Sequence, residues 1–204
     1  MLRVGHRGAA ALGPENTIES VRAALEVGVD MIEFDVAPGS VVAHDLGRPG
    51  IALQRFLAEL AELAPPPMEF LVDLKRTGYE ETTLRWCREA GLSDRCTVAS
   101  TDRRSLGLLA GRIRTSFTYT SHHPGPAAPL ARALAAGRWR STSANDMTVR
   151  HTLVSSGLVD TVHRAGGRVF AWTVNTREGI DRMRDLGADG VITDDPRLFR
   201  RQSV

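Results

Sequence analysis

The chain has 204 residues, 42% of them hydrophobic, and a formal net charge of only +2. That length buries a substantial core and supports one domain over residues 1–204 more readily than two. The arginines are scattered along the chain, so no extended nucleic-acid surface is expected despite a pI near 8.8.

A short apolar run over residues 2–5 predicts a first strand, and His6-Arg7-Gly8 follows directly at its end. Pro14-Glu15-Asn16-Thr17 then leads into a helical pattern over 17–27, with Asn16 and Glu19 at capping-box spacing and Asn16 as the expected cap. In the second strand, 31–36, Ile32, Phe34 and Val36 alternate with Glu33 and Asp35. The two carboxylates therefore project from one face and the apolar side chains from the other. Two hard oxygen ligands converge there. The connection Ala37-Pro38-Gly39-Ser40 suits a tight turn, and His44-Asp45 follows the apolar Val41-Val42-Ala43, so His6 and His44 bracket the acidic pair in sequence. A metal flanked by two proton carriers suits phosphoester cleavage.

After a helical pattern over 53–63, the strand-like run 69–75 puts Asp73 and Lys75 on one face and Val72 and Leu74 on the other. Lys75 is the only lysine among 26 Lys and Arg residues. Its place beside a carboxylate calls for a compact point charge that a planar guanidinium does not replace. Further strand-like runs cover 96–101, 114–120, 140–144, 168–174 and 190–193. They alternate with helical patterns over 80–90, 103–109, 129–136, 152–165, 177–186 and, briefly, 196–200. Eight strands in alternation with helices predict an α/β fold, a (β/α)8 TIM barrel forming a single compact domain. Chemistry in such barrels sits at the C-terminal ends of the strands, where these motifs lie. Cys87 and Cys96 lack C-x-x-C spacing and are expected to be reduced structural thiols. No apolar run is long enough to cross a bilayer, and Met1 leads straight into the first strand. No stable membrane insertion is expected, and the cytoplasm is the expected location.

Taken in order, His6-Arg7-Gly8, Pro14 to Thr17, Glu33-Phe34-Asp35, His44-Asp45, Asp73-Leu74-Lys75, Trp172-Thr173-Val174-Asn175 and the segment from Gly187 to Pro196 resemble, nearly end to end, the pattern of the glycerophosphodiester phosphodiesterases. The resemblance implies a metal-dependent phosphodiesterase that hydrolyses a small-molecule glycerophosphodiester to glycerol 3-phosphate and an alcohol. It implies a divalent cation, Mg²⁺ or Ca²⁺, held by Glu33, Asp35 and Asp73. His6 and His44 become a general acid and base pair, and Lys75 neutralises charge developing in the transition state. Arg7 clamps the phosphate. Glu15 joins the substrate-binding set by orienting Arg7 or the metal shell, or else it favours the positive end of the following helix. Trp172 packs either on the alcohol portion of the substrate or in the core.

Two features depart from the family. Asp73 stands where the family usually has Glu, and the usual insertion after His44-Asp45 is missing, with a shortened turn before His44. They keep two alternatives open: a lysophospholipase D-type enzyme acting on a lipid-bearing substrate, and a non-catalytic phosphate-binding barrel. His122 and His123, in a Pro- and Gly-rich loop, are read as solvent-exposed, and His151 and His163 as structural. Asp195 and Pro196 are read as a helix cap and first helical position.

Overall fold

The computed structural model describes residues 1–45, 50–120 and 128–199. The strands in chain order are β1 (Leu2–Gly5), β2 (Met31–Ala37), β3 (Val41–Val42), β4 (Ile51–Ala52), β5 (Glu69–Leu74), β6 (Cys96–Ser100), β7 (Arg114–Tyr119), β8 (Asp146–Arg150), β9 (Val169–Trp172) and β10 (Gly190–Thr193). Eight of them run parallel in the order β1-β2-β5-β6-β7-β8-β9-β10, and pairing of β10 with β1 closes the ring. β3 and β4 form an antiparallel extension beyond the end of β2. Between the barrel strands lie α1 (Ile18–Val27), α2 (Leu53–Leu63), α3 (Glu80–Glu89), α4 (Arg103–Leu109), α5 (Ala128–Arg140), α6 (Ser156–His163) and α7 (Arg177–Asp185). This is the (β/α)8 barrel that the alternation predicts.

The sixth barrel strand is a correction. It was expected over 140–144, but helix α5 continues to Arg140 and the strand is Asp146–Arg150. Tertiary packing decides the boundary: Trp139, on the last turn of α5, is buried and donates its Nε1–H to the carbonyl of Asp146 at 3.1 Å. The residues that then alternate against β7 and β9 are Met147, Thr148 and Val149, and the branched side chains of Thr148 and Val149 suit a pleated, buried surface. The helix expected over 152–165 is also divided, into a 3₁₀ turn at His151–Leu153 and α6, which Ser155 caps by accepting from the Leu158 N–H. At the C-terminal end of the chain, Pro196–Phe199 is 3₁₀. Cys87 and Cys96 are both free and buried.

The helices cover the outer faces of the strands. On α2, Leu53, Phe56, Leu57 and Leu60 form the buried face, and the Phe56 ring meets Phe34 of β2 at a centroid distance of 4.9 Å. Because successive residues of a strand face opposite sides, placing Phe34 outward turns Glu33 and Asp35 into the barrel. The interior is layered. At the N-terminal end, the fully buried Asp146 is held by Arg114 at 2.6 Å and Arg168 at 3.3 Å, and Arg168 also reaches Glu69 at 2.9 Å. Above it Val4, Met31, Leu71, Ala99, Phe170 and Ile192 form an apolar plug. That plug is the dry floor on which the polar site at the C-terminal end rests.

Gly190 is needed for this layer to close. A Cβ there would lie 2.5 Å from Cδ1 of Phe170, a ring that the surrounding barrel gives no room to move. Gly190→Ala is therefore expected to destabilise the fold by about 1–3 kcal/mol through overpacking. A chemical denaturation midpoint equal to that of the wild type would count against this account of the barrel interior.

Candidate active site

The segment between β1 and α1 turns back sharply over the top of the barrel. Arg7 and Asn16 both take left-handed backbone angles, φ 51° and 62°, which non-glycine residues adopt at a cost. Gly8, at φ 88°, allows the turn to sit on α1, since a Cβ would meet Ser20 Oγ at 2.3 Å. Ser20 Oγ–H donates to the Arg7 carbonyl at 2.8 Å and so ties the turn to the helix. The cap of α1 is Thr17, in a capping box with Ser20, and not Asn16 as the spacing suggested. Asn16 is instead buried against β2. Its Oδ1 accepts from the Asp35 N–H at 2.9 Å, and its Nδ2 donates to Asp35 Oδ2 at 3.1 Å.

Glu33, Asp35 and Asp73 present carboxylate oxygens that all lie within 4.8 Å of one another. The sheet register explains it: β2 and β5 run parallel with Asp35 opposite Asp73, and Glu33 lies two residues earlier on the inward face. The shorter Asp73 side chain still reaches the cluster. Lys75 bridges it, with Nζ 2.5 Å from both Asp35 Oδ1 and Asp73 Oδ2. Arg7 Nε approaches Asp35 Oδ2 at 3.0 Å, its Nη1 meets Glu15 Oε2 at 2.5 Å, and its backbone N–H donates to Glu33 Oε2 at 2.9 Å.

Each histidine has its own carboxylate. His44 Nδ1 is 3.1 Å from Asp35 Oδ2, so the turn before it delivers it to the cluster, and Arg7 Nη2 lies 3.4 Å from its Nε2. His6 Nδ1 is 2.5 Å from Asp194 Oδ1, and its Nε2 faces Glu33 Oε2 at 3.8 Å. Asp194 is oriented in turn by Asn175, whose Nδ2 donates to Asp194 Oδ2 and whose Oδ1 accepts from the Asp194 N–H at 3.0 Å. The sequence reading assigned no role to Asp194 or Asn175 and made Asn16 only a helix cap. All three stand inside quoted motif segments, which was the available signal.

The electrostatics follow from this packing. Burial and the neighbouring Asp35 carboxylate push the Glu33 carboxyl up to about 7. Burial works against ionisation of Asp35 as well, yet the His44 hydrogen bond and the charges of Lys75 and Arg7 hold it below the usual carboxylate range. A divalent cation fits this donor set: three hard oxygens on one face, one of them too costly to ionise fully without further positive charge.

Of these groups His6, Arg7, Glu33, His44, Asp73 and Lys75 line a cavity of about 340 Å³ at the C-terminal end of the barrel, together with Thr101, Thr118, Thr120, Thr148, Trp172 and Thr173, while Asp35 is fully buried outside that lining. Glu15 stands behind Arg7 and outside that lining, and Trp172 contributes to the wall. His163 pairs with Asp189 at 2.7 Å, and His151 opens a 3₁₀ turn. His122 and His123 lie outside the described residues.

A model of the glycerophosphoryl diester phosphodiesterase family matches residues 6–44 and 54–198 of the chain. The chain belongs to that family. The break in the match falls on the connection after His44, where the sequence reading expected the family's usual insertion to be lacking. This family member is similar to the glycerophosphodiester phosphodiesterase of Caldanaerobacter subterraneus subsp. tengcongensis. The two are 26% identical over 238 residues, covering 96% of this chain and 94% of the relative. An alignment that long requires gaps in a chain of 204 residues. Its fold is similar to the glycerophosphodiester phosphodiesterase of Thermotoga maritima, at 22% identity and a TM-score of 0.72, over 98% of this chain and 97% of that one. It is also similar to a phosphodiesterase of Oleispira antarctica in complex with the product sn-glycerol-3-phosphate. There the identity is 21% and the TM-score 0.69, over 95% and 93% of the two chains. Among the described residues of this family member, no helix is long and apolar enough to cross a membrane.

Proposed function

We propose that this family member is a divalent-cation-dependent phosphodiesterase that hydrolyses glycerophosphodiesters to glycerol 3-phosphate and an alcohol. The observation that carries the reading is the convergence at one cavity of Glu33, Asp73, two histidines and the two cations Arg7 and Lys75, with the buried Asp35 completing a set of three carboxylates within 4.8 Å. Glycerol 3-phosphate as a product is supported by the ligand of the Oleispira antarctica relative.

Held by Glu33, Asp35 and Asp73, an Mg²⁺ or Ca²⁺ ion supplies Lewis-acid neutralisation of phosphoryl charge. The remaining work falls to the chain's own side chains. Arg7, kept in place by Glu15, binds the phosphate, and Lys75 stabilises the charge that grows on it in the transition state. His44 donates Nδ1–H to Asp35, which leaves Nε2 to take a proton from the attacking nucleophile, either water or the neighbouring glycerol hydroxyl with water then opening the cyclic phosphate. His6 donates Nδ1–H to Asp194, and its Nε2 passes a proton to the departing alkoxide as the P–O bond breaks.

The grounds for a non-catalytic barrel were Asp73 and the shortened turn. Neither keeps a group away from the cavity, since Asp73 joins the cluster and His44 meets Asp35. The test is release of the free alcohol from a panel of glycerophosphodiesters and one lysophospholipid, with glycerol 3-phosphate assayed as the second product of the water-soluble diesters, after chelation and with Mg²⁺, Ca²⁺ or Mn²⁺ restored. Turnover of the water-soluble diesters is expected. Turnover confined to the lysophospholipid would establish the lysophospholipase D-type reading, and binding without turnover under every ion would establish a phosphate-binding barrel.

Lys75→Arg keeps the charge but not the shape. With Nζ, just past the end of β5, held 2.5 Å from Asp35 of β2 and Asp73 of β5, a larger planar guanidinium must displace either the phosphate or the carboxylates. Turnover is expected to fall at least about tenfold, equivalent to some 1.4 kcal/mol of transition-state stabilisation. Wild-type kinetics in a folded Lys75→Arg protein would remove Lys75 from the machinery.

A further inference from the structure

The two sides of the cavity differ in kind. Its charged groups come from the ends of β1, β2 and β5, whereas the ends of β6, β7 and β9 bring the hydroxyls of Thr101, Thr120 and Thr173 to the opposite wall. None of these three hydroxyls bonds to another described residue, and Thr101 and Thr120 are exposed to the cavity mouth. Arg76, next to Lys75, lines the same space, and its guanidinium has no ion-pair partner among the described residues.

We infer that this wall selects a diester whose alcohol is polyhydroxylated over one whose alcohol carries an ammonium group. The inference rests on the phosphodiesterase reading and names its substrate class. A polyol has a donor and an acceptor for each of these threonine hydroxyls, and Arg76 adds donors to its oxygens. An ammonium alcohol finds none of its usual partners. The carboxylates lining the cavity are engaged, Glu33 by the Arg7 N–H at 2.9 Å and Asp73 by Lys75 at 2.5 Å. Trp172 is the only aromatic ring lining the cavity among the described residues, and it already pairs with the Arg150 guanidinium, 5.2 Å from its centroid. Arg7, Lys75 and Arg76 add like-charge repulsion against any ammonium that enters. A wall built of hydrogen-bonding groups discriminates strongly against an alcohol that leaves those groups unpaired.

The experiment compares kcat/KM for glycerophosphoinositol and glycerophosphoglycerol with that for glycerophosphocholine and glycerophosphoethanolamine. It uses the full chain with a divalent ion present. The polyol diesters are expected to lead by about tenfold or more. The nearly isosteric Thr101→Val/Thr120→Val protein is expected to shrink that ratio roughly tenfold, at a few-fold per hydrogen bond lost, while Thr101→Ser/Thr120→Ser preserves it. A wild-type preference for the choline diester, or a valine variant that lowers all four substrates equally, would overturn the selectivity and leave the phosphodiesterase reading standing. Absence of turnover on all four would overturn that reading, and the selectivity with it.

Discussion

His6→Ala is expected to lower turnover of an alkyl glycerophosphodiester by roughly 10² to 10⁴, the usual contribution of a positioned acid, and to recover most of it on a p-nitrophenyl ester. His44→Ala is expected to lose as much on both. The difference comes from what surrounds each ring. Burial works against the charged form of His6, but the Asp194 hydrogen bond and the Glu33 charge outweigh it and hold its pKa above the ordinary value. His6 thus keeps a proton to give. A leaving group that departs readily as an anion does not need that proton, whereas the nucleophile must still be deprotonated. Asp194→Asn removes a group that raises the His6 pKa, so the limb of kcat/KM that falls as His6 loses its proton should move to lower pH. Equal behaviour of the two alanine variants on the activated ester, or a limb that stays in place in Asp194→Asn, would falsify this division of labour.

Exhaustive chelation and, separately, Asp35→Asn are each expected to reduce turnover at least about a thousandfold, in line with the loss of one or more preorganised charges from a transition state. Chelated wild-type protein should regain activity on addition of Mg²⁺, Ca²⁺ or Mn²⁺, but Asp35→Asn should not. The fully buried Asp35 carboxylate is shared by Lys75 at 2.5 Å, Arg7 at 3.0 Å and His44 at 3.1 Å, so its neutralisation leaves Lys75 with Asp73 and Arg7 with Glu15 as their remaining carboxylate partners. Breaking a buried pair outright costs about 3–5 kcal/mol; with those partners still in place a smaller fall in the unfolding midpoint is expected together with the loss of activity. Full turnover in chelator would exclude the metal reading, and an unchanged midpoint in Asp35→Asn would show that the charges are solvated after all.

The barrel was legible because strand and helix periodicities are local properties of a chain. Phe34 outward and Glu33 and Asp35 inward follows from period-two alternation alone, and the same rule put Asp73 and Lys75 on one face of their strand. Strand ends surround the mouth of such a barrel, so residues just after the apolar runs, His6, His44 and Lys75 among them, come together around one cavity. The boundary at 140–146 was not local: Arg138, Trp139 and Arg140 stay helical because the Trp139 ring finds a buried place and an acceptor in the next strand. Asn16 was misread for a related reason. Its spacing to Glu19 matched a cap, but the fold offered it both the N–H and the carboxylate of Asp35, 19 residues away. Which polar side chain meets His6 depends on a still longer range. Residues 6 and 194 become neighbours only when β10 pairs with β1 and the ring closes, a contact across 188 residues that no periodicity encodes. The sequence by itself therefore determined the element pattern and the inward face of each acidic strand, because both follow from backbone geometry. Tertiary closure decided which partner His6, His44 and Asp35 each meet, because those hydrogen bonds join side chains on strand ends that only the closed barrel sets side by side.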